Sequence, residues 1–417
     1  MQRWMRVVVL GLLFAPAAVG EGALVNSLKV LSFNVWHADE GNAASVNKLR
    51  EIIQTSGADV IGVQEMQTSA GASIAAAIGF NYYQQSSGDI QVISRYPITD
   101  STSDNLGVQI ELSPGQNIWL FNAHLAAYPY QPYDLRDGIL PMNEASVIAA
   151  ANSARGGGTT NYLSSMTSAI SSGAPVFFTG DFNEPSHLDW TAEAAAATSR
   201  PFDLKVEYPT SKRIVDAGMT DSFRTVYPDE VAKPGYTWTP GEPYPNVASN
   251  EVHDRIDVIY HQGHGVTATA AATIGPIDGN PNTDISVAGY NADHRAVLAT
   301  YSLSLAGDFD ANGLIDVADW AILRANQHAD LTGLSSDAAW RLGDLNGDFR
   351  NDFTDFAQFK TMFEGVNGAG SFAAMLAVPE PAGAVIAVIG LCLLAGSPKR
   401  QIFCAENRSS STTLQRD

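Results

Sequence analysis

The sequence predicts an α/β domain of β-sheets covered by helices over residues 27–303, followed by a small helical domain on acidic loops over residues 307–368. Two observations predict the first domain. Apolar strand-like runs alternate with stretches of helical spacing, over a span long enough for one large core. Several of these runs stop abruptly on Asn, Asp, Glu or His, as a strand does when it delivers a polar side chain to the rim of a sheet. A third observation predicts the second domain. GDFDANGLIDVADWAIL from Gly307 returns as GDLNGDFRNDFTDFAQF from Gly343, and a short internal repeat is two copies of one unit.

The elements follow in order. Arg3 and Arg6, the apolar run Val7–Phe14 and the small residues Ala18-Val19-Gly20 read as an export signal over residues 1–20. Export permits disulfides, yet the only cysteines are Cys392 and Cys404, so the body of the chain folds without them. Strands are expected at Leu28–Phe33, Val60–Val63, Ile118–Asn122, Val176–Thr179 and Ile256–Tyr260. Helices are expected at Ala44–Thr55 and Tyr162–Ser171. Gly156-Gly157-Gly158 and the Pro-rich Pro234–Pro245 are expected to be loops. The 417-residue chain has a formal net charge of −20. An acidic surface disfavours loose binding to polyanions, because phosphate contacts need Lys and Arg, although a local basic cleft can sit on an acidic body.

Six segments carry the chemistry: LSFNVW at 31–36, GVQE at 62–65, NAHL at 122–125, GDFNEP at 180–185, RID at 255–257 and ADH at 292–294. Glu65 closes a buried-strand pattern, and with Asn34 it is a natural seat for Mg²⁺ or Mn²⁺. Asp181 and Asn183 are two apart on an extended strand end and point the same way. One of them can position an attacking water and the other can donate to a phosphoryl oxygen. His124 and His294 can carry positive charge toward a developing phosphorane or leaving group. Asp257 can orient a histidine, and Asp293 adds a carboxylate beside His294. Hard oxygen ligands with two histidines are what metal-assisted attack on a phosphate ester needs. His37 and His187 adjoin these segments as peripheral candidates.

In this order the segments resemble the endonuclease/exonuclease/phosphatase superfamily, the deoxyribonuclease I-like fold, over about residues 28–303. Gly180-Asp181-Phe182-Asn183, Arg255-Ile256-Asp257 and Asp293-His294 are the most specific pieces. The resemblance implies two packed β-sheets flanked by helices, a four-layer sandwich with the site at one rim. It implies Mg²⁺ held by Asn34 and Glu65 with Asp293 in the metal region, and Asp181 aligning or deprotonating water. Asn183 and His124 would grip the phosphate, and His294, oriented by Asp257, would act as base or transition-state stabiliser. The family includes nucleases, sphingomyelinases and inositol phosphatases.

For substrate, the stretch AAYPYQPYDLRDG after His124 is the best local clue. Tyr128, Tyr130 and Tyr133 interleave with prolines and Arg136 follows, so Tyr130 and Arg136 are candidate substrate contacts, in a loop that can stack on a base or sugar or steer a small phosphoester. No dense run of Lys and Arg tracks a polynucleotide. That favours a small phosphodiester or phosphomonoester, with a secreted nuclease as the alternative. A non-catalytic surface module is a third reading, opposed by the presence of every residue of the constellation.

In the acidic repeat, Asp308, Asp310, Asn312, Asp316 and Asp319 fall at positions 1, 3, 5, 9 and 12 of a calcium loop, with Gly313 at the sharp turn. Asp344, Asn346, Asp348, Asp352 and Asp355 repeat the offsets, with Phe349 in place of the glycine. Asp at position 12 and a helix after each loop resemble a type I dockerin. That resemblance implies Ca²⁺ and a cohesin-like partner, or a calcium-stiffened stalk. Finally VPEP at 378–381, the apolar run Ala382–Gly396 and the basic Lys399-Arg400 resemble the PEP-CTERM sorting signal of exported bacterial proteins over residues 378–400. The resemblance implies a cell-surface or extracellular location, with a membrane contact before processing. Here the chain continues through Gln401–Asp417, beyond the family pattern.

Overall fold

The computed structural model describes residues 24–377 apart from 38–42, 87, 198–201, 311 and 335. The expected export and sorting segments lie outside the described residues. No described helix is long and apolar enough to cross a membrane. In chain order the strands are β1 (Ser27–Asn34), β2 (Val60–Gln64), β3 (Asn81–Gln84), β4 (Gln91–Ser94), β5 (Ile98–Ser101), β6 (Gly107–Ser113), β7 (Gln116–His124), β8 (Val176–Asp181), β9 (Thr220–Asp221), β10 (Asp257–Gln262), β11 (Val266–Pro276), β12 (Ile285–Val287) and β13 (Ala296–Leu303). They form a seven-stranded sheet, β12-β11-β13-β1-β2-β4-β3, and a six-stranded sheet, β5-β6-β7-β8-β10-β9.

Alternation along each strand assigns its two faces. On β1, Leu28 and Val30 face the other sheet, where they meet Val108, Ile118, Leu120 and Phe177, with Tyr301 of the neighbouring β13 beside them. Leu31 and Phe33 point the opposite way and pack with Leu49, Ile52, Ile53 and Ile74 of the helices Ala43–Ser56 and Thr68–Ile78. Across the second sheet, Phe121, Val176, Phe178 and Tyr260 meet Tyr162, Met166 and Ile214 of the helices Glu144–Ser171 and Pro209–Asp216. Helices, two sheets and helices make four layers, as the resemblance implies.

β1 and β2 run parallel, as do β7 and β8. Asn34, Glu65, His124 and Asp181 therefore emerge at the same rim, since His124 and Asp181 are register partners and Gln64 is paired with Asn34. Beneath that rim the inter-sheet core turns polar. The Gln64 Nε2 amide donates to Asn122 Oδ1 at 2.6 Å, the Thr179 hydroxyl donates to the same oxygen at 3.0 Å, and the Asn122 amide donates to the Val63 and Gln91 carbonyls. Gly62 lies against this layer, where an added Cβ would sit 2.1 Å from Thr179 Oγ1 and 2.6 Å from Asn122 Oδ1. Gly62→Ala is expected to cost about 1–3 kcal/mol through overpacking. Urea unfolding checks this, and an unchanged midpoint would mean the layer can open without loss.

One sequence expectation is corrected. Gly156-Gly157-Gly158 is not a loop but part of a single 28-residue helix, Glu144–Ser171, of which Tyr162–Ser171 is only the last part. The glycines allow close approach. A Cβ on Gly156 would be 2.9 Å from Arg213 Nη1, and one on Gly158 would be 3.1 Å from Leu125 Cδ2. Packing against these neighbours outweighs the roughly 1 kcal/mol that each glycine costs a helix interior.

The acidic repeat forms two loop-helix units with helices Val317–Ala325 and Phe353–Asn367. Each helix opens with a capping box, Asp316 with Asp319 and Asp352 with Asp355. Asp308, Asp319, Asp344 and Asp355 are buried, whereas Asp310 and Asp348 are exposed. Asp308 accepts from the Asn312 and Gly313 amides, and Asp344 from the Gly347 and Phe349 amides. Phe349 adopts φ +61° where Gly313 has +89°, so the second loop makes the same sharp turn without its glycine. Trp340 anchors the module: its ring stacks on His264 and its Nε1–H donates to the Ala306 carbonyl at 2.6 Å.

Candidate active site

Asp181 ends β8 and is buried at the centre of the rim. Its Oδ1 accepts from the Asn183 backbone amide at 2.8 Å, and its Oδ2 from the Asn34 amide at 2.9 Å and the Asn183 amide at 3.2 Å. Asn34 also donates to Glu65 Oε1 at 3.0 Å, while its oxygen accepts from Trp36 N–H at 3.0 Å. Asn34 thus bridges two carboxylates that would otherwise repel. Asn183 is tied to the Leu125 carbonyl at 2.9 Å. Four residues here, Trp36, His37, Glu65 and Asn183, have φ between +47° and +57°. Left-handed backbone in non-glycine residues is costly and clusters where function demands a fixed side-chain direction.

The two histidines flank Asp181. His294 Nδ1 is 2.8 Å from Asp257 Oδ2, while its Nε2 is 3.8 Å from Asp181 Oδ2 and 3.9 Å from Asp293 Oδ1. The last two distances are too long for hydrogen bonds, so Nε2 is left facing the cleft. Asp257 is itself positioned by the Thr237 hydroxyl oxygen, which accepts its backbone N–H at 3.1 Å. His124 Nε2 lies 3.3 Å from Glu65 Oε1 and 3.9 Å from Asp181 Oδ2, and its Nδ1 is 3.4 Å from Asp89 Oδ2. Nε2 makes no aligned hydrogen bond, so its contact with Glu65 is electrostatic.

Electrostatics fix the protonation pattern. Burial disfavours the charged imidazolium of His124, but Asp89, Glu65 and the Asp181 charge outweigh it and raise its pKa to about 10. Burial opposes the charge on His294 too, and Asp257 and Asp181 overcome it, so its pKa lies well above the usual value. Burial would raise Glu65, yet His124, Asn34 and the charge of His294 hold it at about 2. Asp181 is raised by burial and by Asp257, against the pull of His294 and His124. Asp293 is pushed up to about 7 by burial and the Glu65 charge, with His294 opposing.

The donor set suits a hard cation. Ligand atoms of Glu65, His124 and Asp181 all lie within 4.8 Å of one another. The buried Oδ1 of Asp293 has no hydrogen-bond partner, as expected of an acceptor meant for a metal. Asp181 and Asp293, raised by burial, and the unmet acceptor of Asp293 are where a further positive charge would be received, whereas Glu65 is already held low by the histidines.

The cleft over these residues has a volume of about 340 Å³. Tyr130 lines it with its ring, but its hydroxyl is buried and donates to Asp254 Oδ2 at 2.8 Å. Arg136 forms a two-bond pair with Asp137 and stacks on Tyr133, 4.1 Å from the ring centroid, outside the cleft lining. Tyr128, 75% exposed, is the aromatic residue at the mouth. His37 Nε2 is 3.4 Å from Glu65 Oε2, whereas His187 sits on Ser211, away from the cleft. Asp89, Trp238 and Glu242 were not legible as site residues. They come from irregular segments, and the place of Trp238 and Glu242 in the Pro-rich stretch Pro234–Pro245 was the only signal.

The sequence model of the Endonuclease/Exonuclease/phosphatase family matches residues 31–286. An uncharacterized Caenorhabditis elegans protein is 27% identical over 292 residues, 66% of this chain and 92% of its own length. Among solved structures, D. rerio TDP2 complexed with a single-strand DNA product aligns at 17% identity and TM-score 0.44, covering 67% of this chain and all of that one. The endonuclease/exonuclease/phosphatase from Bacteroides vulgatus aligns at 14% identity and TM-score 0.44 over the same shares.

Proposed function

Because the chain belongs to the endonuclease/exonuclease/phosphatase family, we propose that this cleft hydrolyses a phosphoester by in-line attack of a metal-aligned water, on a small ester in preference to a polynucleotide. The observation that carries the reading is the convergence of Asp181, Asn183, His124 and the His294–Asp257 pair on one point above Glu65. Glu65 and Asp293 would hold Mg²⁺ or Mn²⁺ with Asn34 behind them, and the ion when bound supplies Lewis-acid polarisation of the phosphoryl oxygen and a more acidic water. Asp181, locked by three donated hydrogen bonds, orients the attacking water. His294, its Nδ1 fixed on Asp257, presents Nε2 to the phosphoryl group and stabilises charge as it develops. His124, charged at neutral pH, does the same from the opposite side.

The test uses the full chain with Mg²⁺ on plasmid DNA, bis-p-nitrophenyl phosphate and p-nitrophenyl phosphate. Turnover of the small esters with intact DNA supports the reading, whereas DNA nicking at comparable efficiency makes the protein a nuclease. EDTA is expected to abolish turnover, and Mg²⁺ or Mn²⁺ to restore it. Asn34→Ala releases two carboxylates from their common donor. It should raise the metal concentration for half-maximal activity by roughly 10- to 100-fold, the effect typical of a residue that holds ligands in place. An unchanged metal dependence would assign Asn34 to the substrate instead.

The same reading extends to the rest of the chain. Residues 1–20 would export the protein, residues 307–368 would bind Ca²⁺ through Asp308, Asp310, Asn312, Asp316 and Asp319 and through their repeats Asp344, Asn346, Asp348, Asp352 and Asp355, and residues 378–400 would sort it to the surface. The inward-facing acids, with Asp319 raised to about 6 by burial, support the calcium reading. A cohesin-like partner is the family-level expectation for that module. A Ca²⁺-dependent rise in melting temperature, absent in Asp319→Asn/Asp355→Asn, tests the ion directly.

A further inference from the structure

The cleft wall carries a charge pattern at odds with a purely anionic substrate. Among the described residues lining it there are aromatic rings, carboxylates and histidines, and no Lys or Arg. Three of the lining carboxylates, Glu65, Asp181 and Asp293, lie around the metal region. The fourth, Glu242, lies outside that cluster of ligand atoms, although its charge acts on Asp293 and it feels the charge of His294. It is exposed at the cleft mouth, and among the described residues no Lys or Arg pairs with its carboxylate. A free carboxylate at the mouth of a phosphate site repels an anion, which lowers affinity unless the substrate brings a compensating cation. The aromatic rings that line the cleft with it are of the kind that receives a cation. Trp238 tilts over His294 at 4.9 Å between ring centroids, and its Nε1–H donates to the Tyr133 hydroxyl at 2.7 Å, which fixes the indole in the wall. Trp36 and Tyr128 line the same cleft.

We infer that the cleft selects a zwitterionic phosphoester, with an amine or quaternary ammonium on the alcohol side held by Glu242 and the rings of Trp238, Trp36 and Tyr128. Aromatic faces together with a carboxylate are the usual seat for such a group, and the attraction is strongest when both are partly desolvated, as in a cleft. His124 and His294 hold the phosphate end while the ammonium end meets the mouth. This narrows the substrate class and rests on the phosphoesterase reading above.

The test compares two esters that differ by one atom. p-Nitrophenylphosphorylcholine and its carbon isostere, the p-nitrophenyl ester of 3,3-dimethylbutyl phosphate, have the same shape, leaving group and phosphate charge. In each, water adds to phosphorus as the P–O bond to the aryl oxygen breaks. p-Nitrophenolate leaves with the bonding pair, and the water proton passes to solvent. The expected kcat/KM ratio is roughly 5- to 30-fold in favour of the cationic ester. Glu242→Gln is expected to lower that ratio several-fold. A wild-type ratio near one overturns the inference while leaving the phosphoesterase reading intact, and failure to cleave bis-p-nitrophenyl phosphate would instead strike at that reading. Binding gives a second measurement that needs no turnover. Tryptophan fluorescence titrated with phosphocholine and with 3,3-dimethylbutyl phosphate should show tighter binding of the former, and equal affinities overturn the inference. Release of phosphocholine from phosphatidylcholine vesicles against glycerophosphocholine then separates a lipid headgroup from a soluble ester as the source.

Discussion

Asp181→Ala is expected to lower kcat by roughly 100- to 10,000-fold, the range over which a positioned acid–base group contributes, with little change in folding. Both halves of this expectation follow from where the carboxylate sits. It is the one group that faces His124 at 3.9 Å and His294 at 3.8 Å while accepting from Asn34 and Asn183. Its loss removes the acceptor that would hold an attacking water between two cationic imidazoles. For stability, Asp181 is a buried carboxylate beside Asp257, and burial raises its pKa despite the histidines, so the fold gains little from its charge. The variant should therefore melt near the wild-type temperature while turnover of bis-p-nitrophenyl phosphate collapses. Asp181→Asn sharpens the test because it keeps the shape and one acceptor oxygen. If it retains more than a tenth of wild-type kcat, the Asp181 charge is dispensable and its role is structural.

Arg255→Met is expected to destabilise the fold by about 3–5 kcal/mol, the cost of leaving buried carboxylates without their cation. The Arg255 guanidinium is buried and shared between two carboxylates: Nη2 is 2.9 Å from Asp189 Oδ2 and 2.8 Å from Asp221 Oδ2. Asp189 also receives Arg224 Nε at 2.5 Å, so the cluster is two arginines against two aspartates. Methionine fills the stem's volume but leaves one cation for two acids. Arg255→Lys should fall between, since an ammonium cannot bridge two carboxylates as a planar fork does. The pH dependence has a definite sign. Burial would raise the Asp189 carboxyl, but Arg255 and Arg224 hold it below the usual value of 3.8. In the wild type that group contributes stability at pH above about 4, lost as pH falls through its folded pKa. In the variant the burial effect loses its main opponent, so protonation becomes favourable in the folded state. The gap between the two proteins should narrow as pH falls from 7 toward 4. Chemical denaturation at several pH values checks both claims, and a constant gap below 1 kcal/mol would show that the cluster tolerates an uncompensated charge.

Arg255 also shows how far residue patterns reach. It belongs to one of the most specific segments, two residues before Asp257, yet it faces the interior at Asp189 and Asp221 whereas Asp257 faces His294. Residues two apart on one strand would share a side, but β10 begins only at Asp257, so Arg255 lies outside its alternation, and the spacing alone does not say where the strand starts. Tyr130 and Arg136 make the same point. An aromatic, proline-rich loop beside a catalytic histidine was legible, but Tyr130 turned its hydroxyl inward to Asp254 and Arg136 folded back on Asp137. The helix through Gly156–Gly158 was illegible because the side chains that its glycines let approach, Arg213 and Leu125, lie far away in sequence.

By itself the sequence determined what local chemistry can determine. Apolar runs closing on Asn34, Glu65, His124 and Asp181 set the strand ends, and the repeated Asp and Asn offsets set two turn-and-cap loops, because a strand's period and a loop's hydrogen bonds are short-range. Only the tertiary structure decided what meets at the rim. Parallel pairing of β1 with β2 and of β7 with β8 brings those strand ends together, and irregular segments add Trp238 and Glu242 to the wall and set Asp89 against His124. Those placements depend on long-range packing and on charges that face one another only in the folded chain, and neither leaves a periodic trace in the residues that take part.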